Sequence, residues 1–402
     1  MESGLKDQWK CAAALSKGQP SLDTWMDLGE CLSGPPTDDP AFDRLLDDLD
    51  RNLEDWPDRM RVATLNNQND LYDDLNWAWD RSLVDPGNAR LLTLVRTLRT
   101  TPDEILEVGK GDAWARYCLD TVTRFEPLSL DDHGRFHAAM ARLPNVNSLS
   151  LVWLVRRLGR WPTPSARRAW QGLFHNEAMN SLRHLQLDGV LLAAGLSAIS
   201  TAAFAEKLRG LGLRDCGLKG NQLHHLTNWP DPADLRELDI SQNDASASAI
   251  VGVLQSRLLT GVSELRLGGN EQDQRTAQVF LTSPALSSLR RLSIDGARLD
   301  RRWLTTAFAS ELLVSLTEMS VKNGSIGDAT LQVLLTTTLI RQLVALDLAG
   351  NGVTSSGAEA LVAGLDGLPQ LQRIDLSGNK VRCRDAPRLI EAAAKRGVQL
   401  VI

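Results

Sequence analysis

Apolar and polar residues follow one repeating pattern through the second half of the chain. Eight segments share it, and their first residues lie 26 to 28 positions apart. A near-constant period of this length predicts a solenoid of stacked repeats. The segments begin at Leu182, Leu208, Leu235, Val262, Leu289, Leu316, Leu343 and Leu371.

Inside each segment the residues alternate between core and outward positions, as in Leu211-Gly212-Leu213. Because successive side chains of a strand point to opposite faces, this alternation predicts one short strand per repeat, with the leucines in the core. The residues between segments leave room for a helix of about ten residues in each repeat. The candidate helices span residues 196–208, 247–258, 275–281, 328–335, 356–365 and 385–395, and residues 398–402 alternate like a final strand.

The segments fit the pattern L-x-x-L-x-L-x-x-N/C-x-L, for example LRELDISQNDA from Leu235 and LVALDLAGNGV from Leu343. This pattern resembles that of the leucine-rich repeat family. The resemblance covers residues 182–402, and VNSLSLVWL from Val146 shows the same apolar spacing. It implies an α/β fold, a leucine-rich-repeat solenoid with a parallel concave sheet and convex helices, similar to the ribonuclease-inhibitor-like branch with 27-residue repeats. That branch consists largely of intracellular protein-binding proteins.

Polar residues with a structural role are predicted where the chain leaves each strand. Four repeats have asparagine at this place and one has cysteine, namely Asn243, Asn270, Asn351, Asn379 and Cys216. A side-chain amide there can hydrogen-bond backbone groups of the turn that no strand partner reaches. Val190, Ala297 and Gly324 replace the asparagine in three repeats, so those turns are expected to be bonded differently.

Residues 1–142 show helix start and stop signals in place of repeats. Thr101-Pro102-Asp103-Glu104 combines a capping residue with a first-turn proline, and Ser21 and Ser129 each precede an amphipathic run. These signals predict an acidic, all-helical N-terminal domain over residues 1–142, a junction over 143–181 and the solenoid over 182–402. Since the open end of a solenoid exposes apolar surface, this domain is expected to cap the repeats.

The junction is rich in tryptophan and arginine. It contains Trp153, Trp161 and Trp170 with Arg156, Arg157, Arg160, Arg167 and Arg168. Such a stretch can pack between the cap and the repeats, form a protein interface or bind nucleic acid. Residues 1–80 hold 18 acidic and 7 basic residues, which gives either a solvated face or a surface for a basic partner. One basic stretch in an acidic protein is a weak nucleic-acid footprint, so nucleic acid is not the expected partner.

Composition indicates an ordinary globular protein, with 43% hydrophobic and 23% charged residues. The sequence shows neither a signal peptide nor a run of about 18 apolar residues, so we expect no membrane partner and a cytoplasmic location. Five widely spaced cysteines without a C-x-x-C pair favour reduced thiols over a disulfide framework or a zinc site. These are Cys11, Cys31, Cys118, Cys216 and Cys383.

No set of residues in the sequence predicts catalysis. His133 and His137 lie one helical turn apart, but no third ligand accompanies them. Ser377 and Lys380 fit S-x-x-K, yet both belong to a repeat turn, and Gly109-Lys110-Gly111 lacks the spacing of a phosphate-binding loop. We therefore expect no enzyme activity, no metal and no cofactor.

The expected binding surface is the concave face, formed by the outward positions of the strands. These positions carry both signs of charge and no aromatic residue, which predicts either modest affinity or a charged partner that is recognised by electrostatic complementarity. The predicted partner-binding residues are His184, Gln186, Arg214, Glu237, Asp239, Glu264, Arg266, Arg291, Asp295, Glu318, Lys322, Asp347, Arg373 and Asp375. A merely solvated face is the alternative.

The function predicted from the sequence is a non-catalytic scaffold or adaptor that binds an unidentified protein. Two other functions stay open. In one, the N-terminal domain is an effector or enzyme that acts on substrates recruited by the repeats. In the other, the chain regulates a small GTPase, as some members of the resembling branch do.

Overall fold

The computed structural model describes residues 2–32, 40–65, 79, 91–109, 112, 118–130, 132–152, 167–192, 195–229, 234–297, 299 and 301–402. The chain divides into two compact units. Unit 1 comprises residues 1–161 and 172–186, and unit 2 comprises residues 162–171 and 187–402.

Unit 1 combines N-terminal helices with a parallel sheet. Its strands are β1 (Val62–Ala63), β2 (Thr97–Thr100), β3 (Arg124–Pro127), β4 (Ser148–Ser150) and β5 (His184–Gln186), and each pairs in parallel with the next. Its helices are α1 (Glu2–Leu15), α2 (Leu22–Leu32), α3 (Pro40–Asn52), α4 (Pro102–Glu107) and α5 (His133–Met140), with 3-10 turns at Asp58–Met60 and Glu177–Met179. Helix α6 (Arg167–Phe174) has residues in both units.

The helical N-terminal region is present but shorter than we predicted. Helices α1 to α3 end at Asn52, and β1 to β3 lie within the stretch that we expected to be all-helical. The three strands that follow β1 have the spacing of the later repeats, because Val95, Val122 and Val146 each stand three residues before a buried strand residue. The intervals from Val95 through Val122 and Val146 to Leu182 are 27, 24 and 36 residues. This uneven spacing broke the period on which the prediction rested.

Two of the three predicted helix caps in unit 1 are confirmed. The Thr101 hydroxyl accepts the Glu104 amide at 3.3 Å, while the Glu104 carboxylate accepts the Thr101 amide at 2.8 Å. The Ser21 hydroxyl accepts the Thr24 amide at 3.0 Å before α2. The prediction for Ser129 is wrong, because α5 begins at His133 and Asp132 caps it by accepting the Arg135 amide at 3.0 Å.

The described residues of unit 2 form eight strands that pair in parallel in chain order. They are β6 (Gly210–Gly212), β7 (Glu237–Asp239), β8 (Glu264–Arg266), β9 (Arg291–Ser293), β10 (Glu318–Ser320), β11 (Ala345–Asp347), β12 (Arg373–Asp375) and β13 (Gln399–Val401). Each of β5 to β12 begins two residues after the start of its predicted segment, so the predicted register is confirmed. The predicted final strand is β13.

Helices alternate with the strands of unit 2. They are α7 (Gly195–Ser200), α8 (Gly220–Thr227), α9 (Ala247–Leu254), α10 (Gln274–Thr282), α11 (Arg301–Ala307), α12 (Gly327–Leu334), α13 (Ser355–Gly364) and α14 (Ala386–Ala394). Further 3-10 turns span Ala205–Lys207, Arg257–Leu259, Pro284–Leu286, Leu339–Gln342 and Leu365–Gly367. Each of the six predicted helical stretches overlaps a helix, whereas α8 and α11 were not predicted. The α/β repeat solenoid is therefore confirmed.

None of the helices in the described ranges combines the length and the hydropathy that a bilayer crossing requires.

Candidate binding surface

A ladder of four asparagines, three of them buried, fixes the turns at the ends of the strands in unit 2. Asn243 Oδ1 accepts the backbone amides of Cys216 at 2.9 Å and Leu218 at 3.0 Å in the preceding repeat. Its amide nitrogen donates to the carbonyls of Leu213 and Ile240, both at 2.8 Å. Asn270, Asn351 and Asn379 make corresponding bonds. The predicted structural role of these asparagines is confirmed.

Cys216 also takes a structural place in the ladder. Its thiol is buried and donates to the Leu187 carbonyl at 3.2 Å. Burial raises the pKa of this thiol far above its ordinary value, and the nearby Asp188 charge adds to the effect. A thiol held neutral in this way supports packing and not nucleophilic chemistry.

The outward positions of unit 2 form three rows across the sheet. The first row is Glu237, Glu264, Arg291, Glu318, Ala345 and Arg373, and the second is Asp239, Arg266, Ser293, Ser320, Asp347 and Asp375. The third lies just after the strands and contains Arg214, Ser241, Gly268, Asp295, Lys322, Ala349 and Ser377. Because neighbouring strands are in register, side chains that are about 27 residues apart in the sequence lie next to each other on the sheet.

The rows enclose a groove with a volume of about 530 Å³ over β8 to β12. Ten of the fourteen predicted partner-binding residues line it: Arg214, Glu264, Arg266, Arg291, Asp295, Glu318, Lys322, Asp347, Arg373 and Asp375. Glu237 and Asp239 lie on the adjacent strand β7. The lining is completed by uncharged residues, namely Ser293, Ser320, Ala345, Leu265, Leu292, Met319 and Leu346. The prediction missed Ala345, although its place beside Leu346 in the alternation marks it as outward-facing.

Ion pairs connect charged side chains along the groove, both between neighbouring strands and within one strand. Arg291 Nε lies 3.2 Å from Glu264 Oε2, and Lys322 Nζ lies 2.8 Å from Asp347 Oδ2. Arg266 contacts Glu264 and lies 3.8 Å from Asp239, while Arg373 lies 3.9 Å from Asp375. Most of the charges on this face therefore interact with one another in the free protein.

The two partners of these ion pairs differ strongly in exposure. The side chains of the basic partners Arg266, Arg291, Lys322 and Arg373 are 45–57% exposed. Those of the acidic partners Asp239, Glu264, Asp347 and Asp375 are only 12–25% exposed. The carboxylates lie low on the sheet, whereas the basic groups reach toward solvent.

Backbone amides hold the carboxylates in their low positions. Asp239 accepts the Ser241 amide at 2.9 Å, and Asp375 accepts the Ser377 amide at 2.8 Å. Burial alone raises the pKa of Asp375, but the hydrogen bonds from Ser377 outweigh it and keep that pKa below its usual value. The Asp239 and Asp375 carboxylates are therefore occupied by hydrogen bonds within their own turns.

Lys322 lies at the centre of the groove with three acidic residues around it. Its hydrogen bond to Asp347 raises the pKa of the ammonium group above its usual value, and the charges of Asp295 and Asp375 act in the same direction. Asp295 additionally accepts the Lys322 backbone amide at 2.8 Å. Lys322 is therefore fully protonated at neutral pH.

A glycine is required where two repeats approach closely just after β8 and β9. A Cβ atom at Gly268 would lie 2.3 Å from the carbonyl oxygen of Asp295. We expect Gly268→Ala to lower the free energy of unfolding by about 1–3 kcal/mol, because the backbone must move to accept the methyl group. Urea unfolding followed by circular dichroism measures this change. Gly367→Ala is the control, since its Cβ would meet nothing within 4 Å, and equal losses for both variants would contradict the interpretation.

The equivalent outward positions of unit 1 are buried. Arg99 and Glu126 form an ion pair of 2.9 Å, and Arg124 Nε lies 2.9 Å from the same carboxylate. Arg124 also donates to Gln186 Oε1 at 2.8 Å. The predicted residues His184 and Gln186 thus belong to unit 1 and are half-buried, whereas the groove is lined by unit 2.

The other residues considered in the sequence analysis either pack against neighbouring elements or lie outside the described residues. His137 Nε2 lies 2.9 Å from the Leu173 carbonyl oxygen, and burial together with the His137 charge lowers the pKa of His133. Within the described ranges, no group of three or more His, Cys, Asp or Glu is placed to hold a metal ion. The junction residues Trp153, Arg156, Arg157, Arg160 and Trp161 and the Lys110-Gly111 pair lie outside the described residues.

Comparisons with known proteins agree with the repeat architecture. The family model described as leucine-rich repeat matches residues 341–362, which include β11 and most of α13. No curated protein matches the chain at a significant level.

Two solved structures illustrate the likeness. A chain in the crystal structure of the yeast Rad7 and Elc1 complex is 17% identical, with 78% of this chain and 83% of that chain covered and a TM-score of 0.50. The leucine-rich repeat-containing protein LegL7 from Legionella pneumophila is 16% identical, with 76% and 89% covered and a TM-score of 0.46. At such identity the likeness to the yeast structure shows the fold alone. The repeated sequence pattern, the stacked strands with their asparagine ladder, and the family-model match over one repeat identify the fold of the chain as a leucine-rich-repeat solenoid.

Proposed function

We propose that unit 2 binds a protein partner in the groove over β8 to β12, and that the partner contributes an acidic segment. The chain acts as a scaffold or adaptor in this proposal. One observation carries it: the basic groups of the groove are about half exposed, while their acidic partners are mostly covered, and three of these carboxylates, Asp239, Asp347 and Asp375, accept backbone amides of their own turns. An approaching protein partner therefore contacts the guanidinium and ammonium groups before the carboxylates.

Arginine chemistry makes a carboxylate-bearing partner the best match. A guanidinium presents several N–H donors in a planar fork that fits a carboxylate with two parallel hydrogen bonds. Arg266, Arg291 and Arg373 each keep about half of their surface accessible. Unlike the acidic partners of the ion pairs, Glu318 is exposed in the groove. The bound segment of the partner is therefore expected to place a neutral or basic residue opposite Glu318.

The size of the groove fits a short extended peptide. Five strands at a spacing of about 4.8 Å span roughly 19 Å, which corresponds to about six residues of extended chain. Nucleic acid is a poorer match because the lining has no aromatic side chain for base stacking and contains five basic and five acidic residues.

A direct binding measurement tests the proposal. The full chain is titrated against a fluorescent peptide of eight glutamates, and binding is followed by fluorescence anisotropy. We expect the triple variant Arg266→Glu, Arg291→Glu, Arg373→Glu to bind at least about 100-fold more weakly, since three contacts of roughly 1 kcal/mol each are lost and repulsion is added. Binding by the unchanged chain should also weaken as the ionic strength rises.

A matched variant controls for net charge. Arg275→Glu, Arg341→Glu, Arg388→Glu changes the total charge by the same amount at exposed positions outside the groove lining. It should keep the affinity of the unchanged chain to within about threefold. Equal weakening in both triple variants would show that only net charge matters and would overturn the assignment to the groove.

Other predictions from the sequence are not tested by the described residues. Membership of the ribonuclease-inhibitor-like branch is supported by the repeat length and the alternating strands and helices, and it stays a prediction. The enzyme and small-GTPase alternatives and the cytoplasmic location likewise stay predictions.

A further inference from the structure

Two cysteines that are 20 residues apart in the sequence meet between α1 and α2. The thiol of Cys31 lies 3.2 Å from Cys11 Sγ, and Cys11 is exposed while Cys31 is partly exposed. We propose that Cys11 and Cys31 form a modification site that small-molecule disulfides, such as glutathione disulfide, oxidise reversibly to an intramolecular disulfide. This inference is independent of the groove in unit 2.

Packing within unit 1 holds the two thiols together. Ala12 on α1 and Leu28 and Leu32 on α2 are buried, so each cysteine directly precedes a buried residue of its own helix. Helix α1 is also tied to α3, because Asn52 Nδ2 donates to Ser16 Oγ at 2.9 Å. A sulfur–sulfur bond is about 2.05 Å long, so bond formation needs only a small adjustment of the side chains.

Cys11 and Cys31 differ in their surroundings, and this difference indicates different roles in the reaction. Burial raises the pKa of Cys31 to about 11, and the Cys11 contact and the charges of Asp27 and Glu30 contribute to this shift. Cys31 is therefore a neutral thiol at neutral pH and is less accessible than Cys11. Cys11 meets the external disulfide first, and Cys31 resolves the product.

The chemistry proceeds by two thiol–disulfide exchanges. The Cys11 thiolate attacks one sulfur of the external disulfide, breaks its S–S bond and releases one thiolate, leaving a mixed disulfide on Cys11. Cys31 then loses its proton to solvent and attacks Cys11 Sγ, releasing the second small thiol. In total two protein thiols lose two electrons and two protons, and one external disulfide becomes two thiols.

The remaining cysteines provide internal controls. Cys118 and Cys216 are buried, and burial raises the pKa of both thiols. Cys383 is exposed and lies far from the pair in sequence. We expect the first two to stay reduced in the folded protein and Cys383 to form a mixed disulfide without an intramolecular bond.

The test uses the full chain in buffers of reduced and oxidised glutathione at increasing ratios. Acid quenching, alkylation of free thiols and tryptic peptide mass spectrometry then report each cysteine. We expect one disulfide-linked pair of peptides, residues 11–17 with 18–44, and its loss after treatment with a reducing agent. The rate of closure should rise about tenfold per pH unit between about pH 7 and 10, because the Cys31 thiolate is the attacking group.

Single substitutions separate the two steps. Cys31→Ser should leave a persistent mixed disulfide on Cys11, and Cys11→Ser should leave Cys31 largely reduced. Both variants keep the three cysteines outside the pair, Cys118, Cys216 and Cys383, and the reactivities of these three should match those in the unchanged chain. The proposal is overturned if Cys11 of the unchanged chain stops at the mixed disulfide, or if the linked peptides appear only after unfolding.

Discussion

Replacing Glu126 with alanine should lower the free energy of unfolding of unit 1 by about 3–5 kcal/mol. The Arg99 and Glu126 side chains are only 3% and 4% exposed, and their charged groups lie 2.9 Å apart. Removal of the carboxylate takes an ion-pair partner from the buried Arg99 guanidinium and another from Arg124. Desolvation of an uncompensated charge is far more costly than the loss of a surface ion pair.

Urea titration with both circular dichroism and tryptophan fluorescence measures this loss. Trp25 and Trp79 stack in the core of unit 1 with ring centroids 3.9 Å apart, whereas Trp229 and Trp303 are buried in unit 2. The fluorescence change is therefore assigned to unit 1 in a background in which Trp229 and Trp303 are replaced by phenylalanine. Asp7→Ala is the control, because it removes an ion pair with Lys10 whose side chains are 73% and 79% exposed. Its unfolding midpoint should equal that of the unchanged chain.

A double substitution separates the charge from the contact itself. Arg99→Met combined with Glu126→Leu removes both charges and keeps apolar volume, so it should recover most of the stability lost in Glu126→Ala. If the double variant is less stable than Glu126→Ala, the buried pair contributes favourably in its own right. The desolvation argument is then wrong.

The repeats of unit 2 could be predicted from the sequence because each strand has the same short-range pattern. In every copy from Leu182 onward an apolar residue precedes the buried strand centre by three positions, as Leu235 precedes Leu238. Side-chain alternation then fixes which residues face outward, and this identified most of the groove. These features depend on neighbours within about ten residues, which a sequence displays directly.

The strands of unit 1 escaped prediction for a physical reason. Leu98 and Phe125 are buried strand centres like Leu238, but the neighbouring copies lie at unequal intervals and lack the asparagine at the turn. Helix caps such as Thr101 occur between them and are genuine. Local helix signals therefore dominated a stretch in which helices and repeat strands alternate.

Pairing between distant side chains could not be predicted. The sequence marks Arg266 and Glu264 as outward-facing, yet their exposures depend on rotamers and on hydrogen bonds across neighbouring strands. The burial of Arg99 and the approach of Cys31 to Cys11 likewise depend on packing between elements distant in sequence. Which charged groups of the groove are exposed to solvent is known only from the three-dimensional arrangement. The proposal of an acidic partner depends on that exposure.

Replacing Asn243 with alanine should destabilise unit 2 by about 3–4 kcal/mol. The side chain is 2% exposed and bridges two repeats. Its loss leaves the amides of Cys216 and Leu218 and the carbonyl of Leu213 without these partners in a buried turn. Each such group loses a hydrogen bond without gaining water, so the costs add within one turn.

Two further substitutions test this explanation. Asn243→Asp keeps the acceptor atoms but removes the donors and buries a charge, so it should destabilise at least as much as alanine. Asn221→Ala changes an exposed asparagine on α8 and should be neutral or slightly stabilising, because alanine favours helix.

We also expect Asn243→Ala to lower the cooperativity with which unit 2 unfolds. Repeat proteins unfold together only while the interfaces between neighbouring repeats are strong relative to each repeat. Because Asn243 supplies bonds across one such interface, Asn243→Ala should also broaden the urea transition and lower its slope. Hydrogen exchange should become faster in the two turns that Asn243 connects, one after β6 and one after β7, before the rest of unit 2 opens. A parallel shift of the whole transition without broadening would mean that the asparagine stabilises its own turn without coupling the repeats.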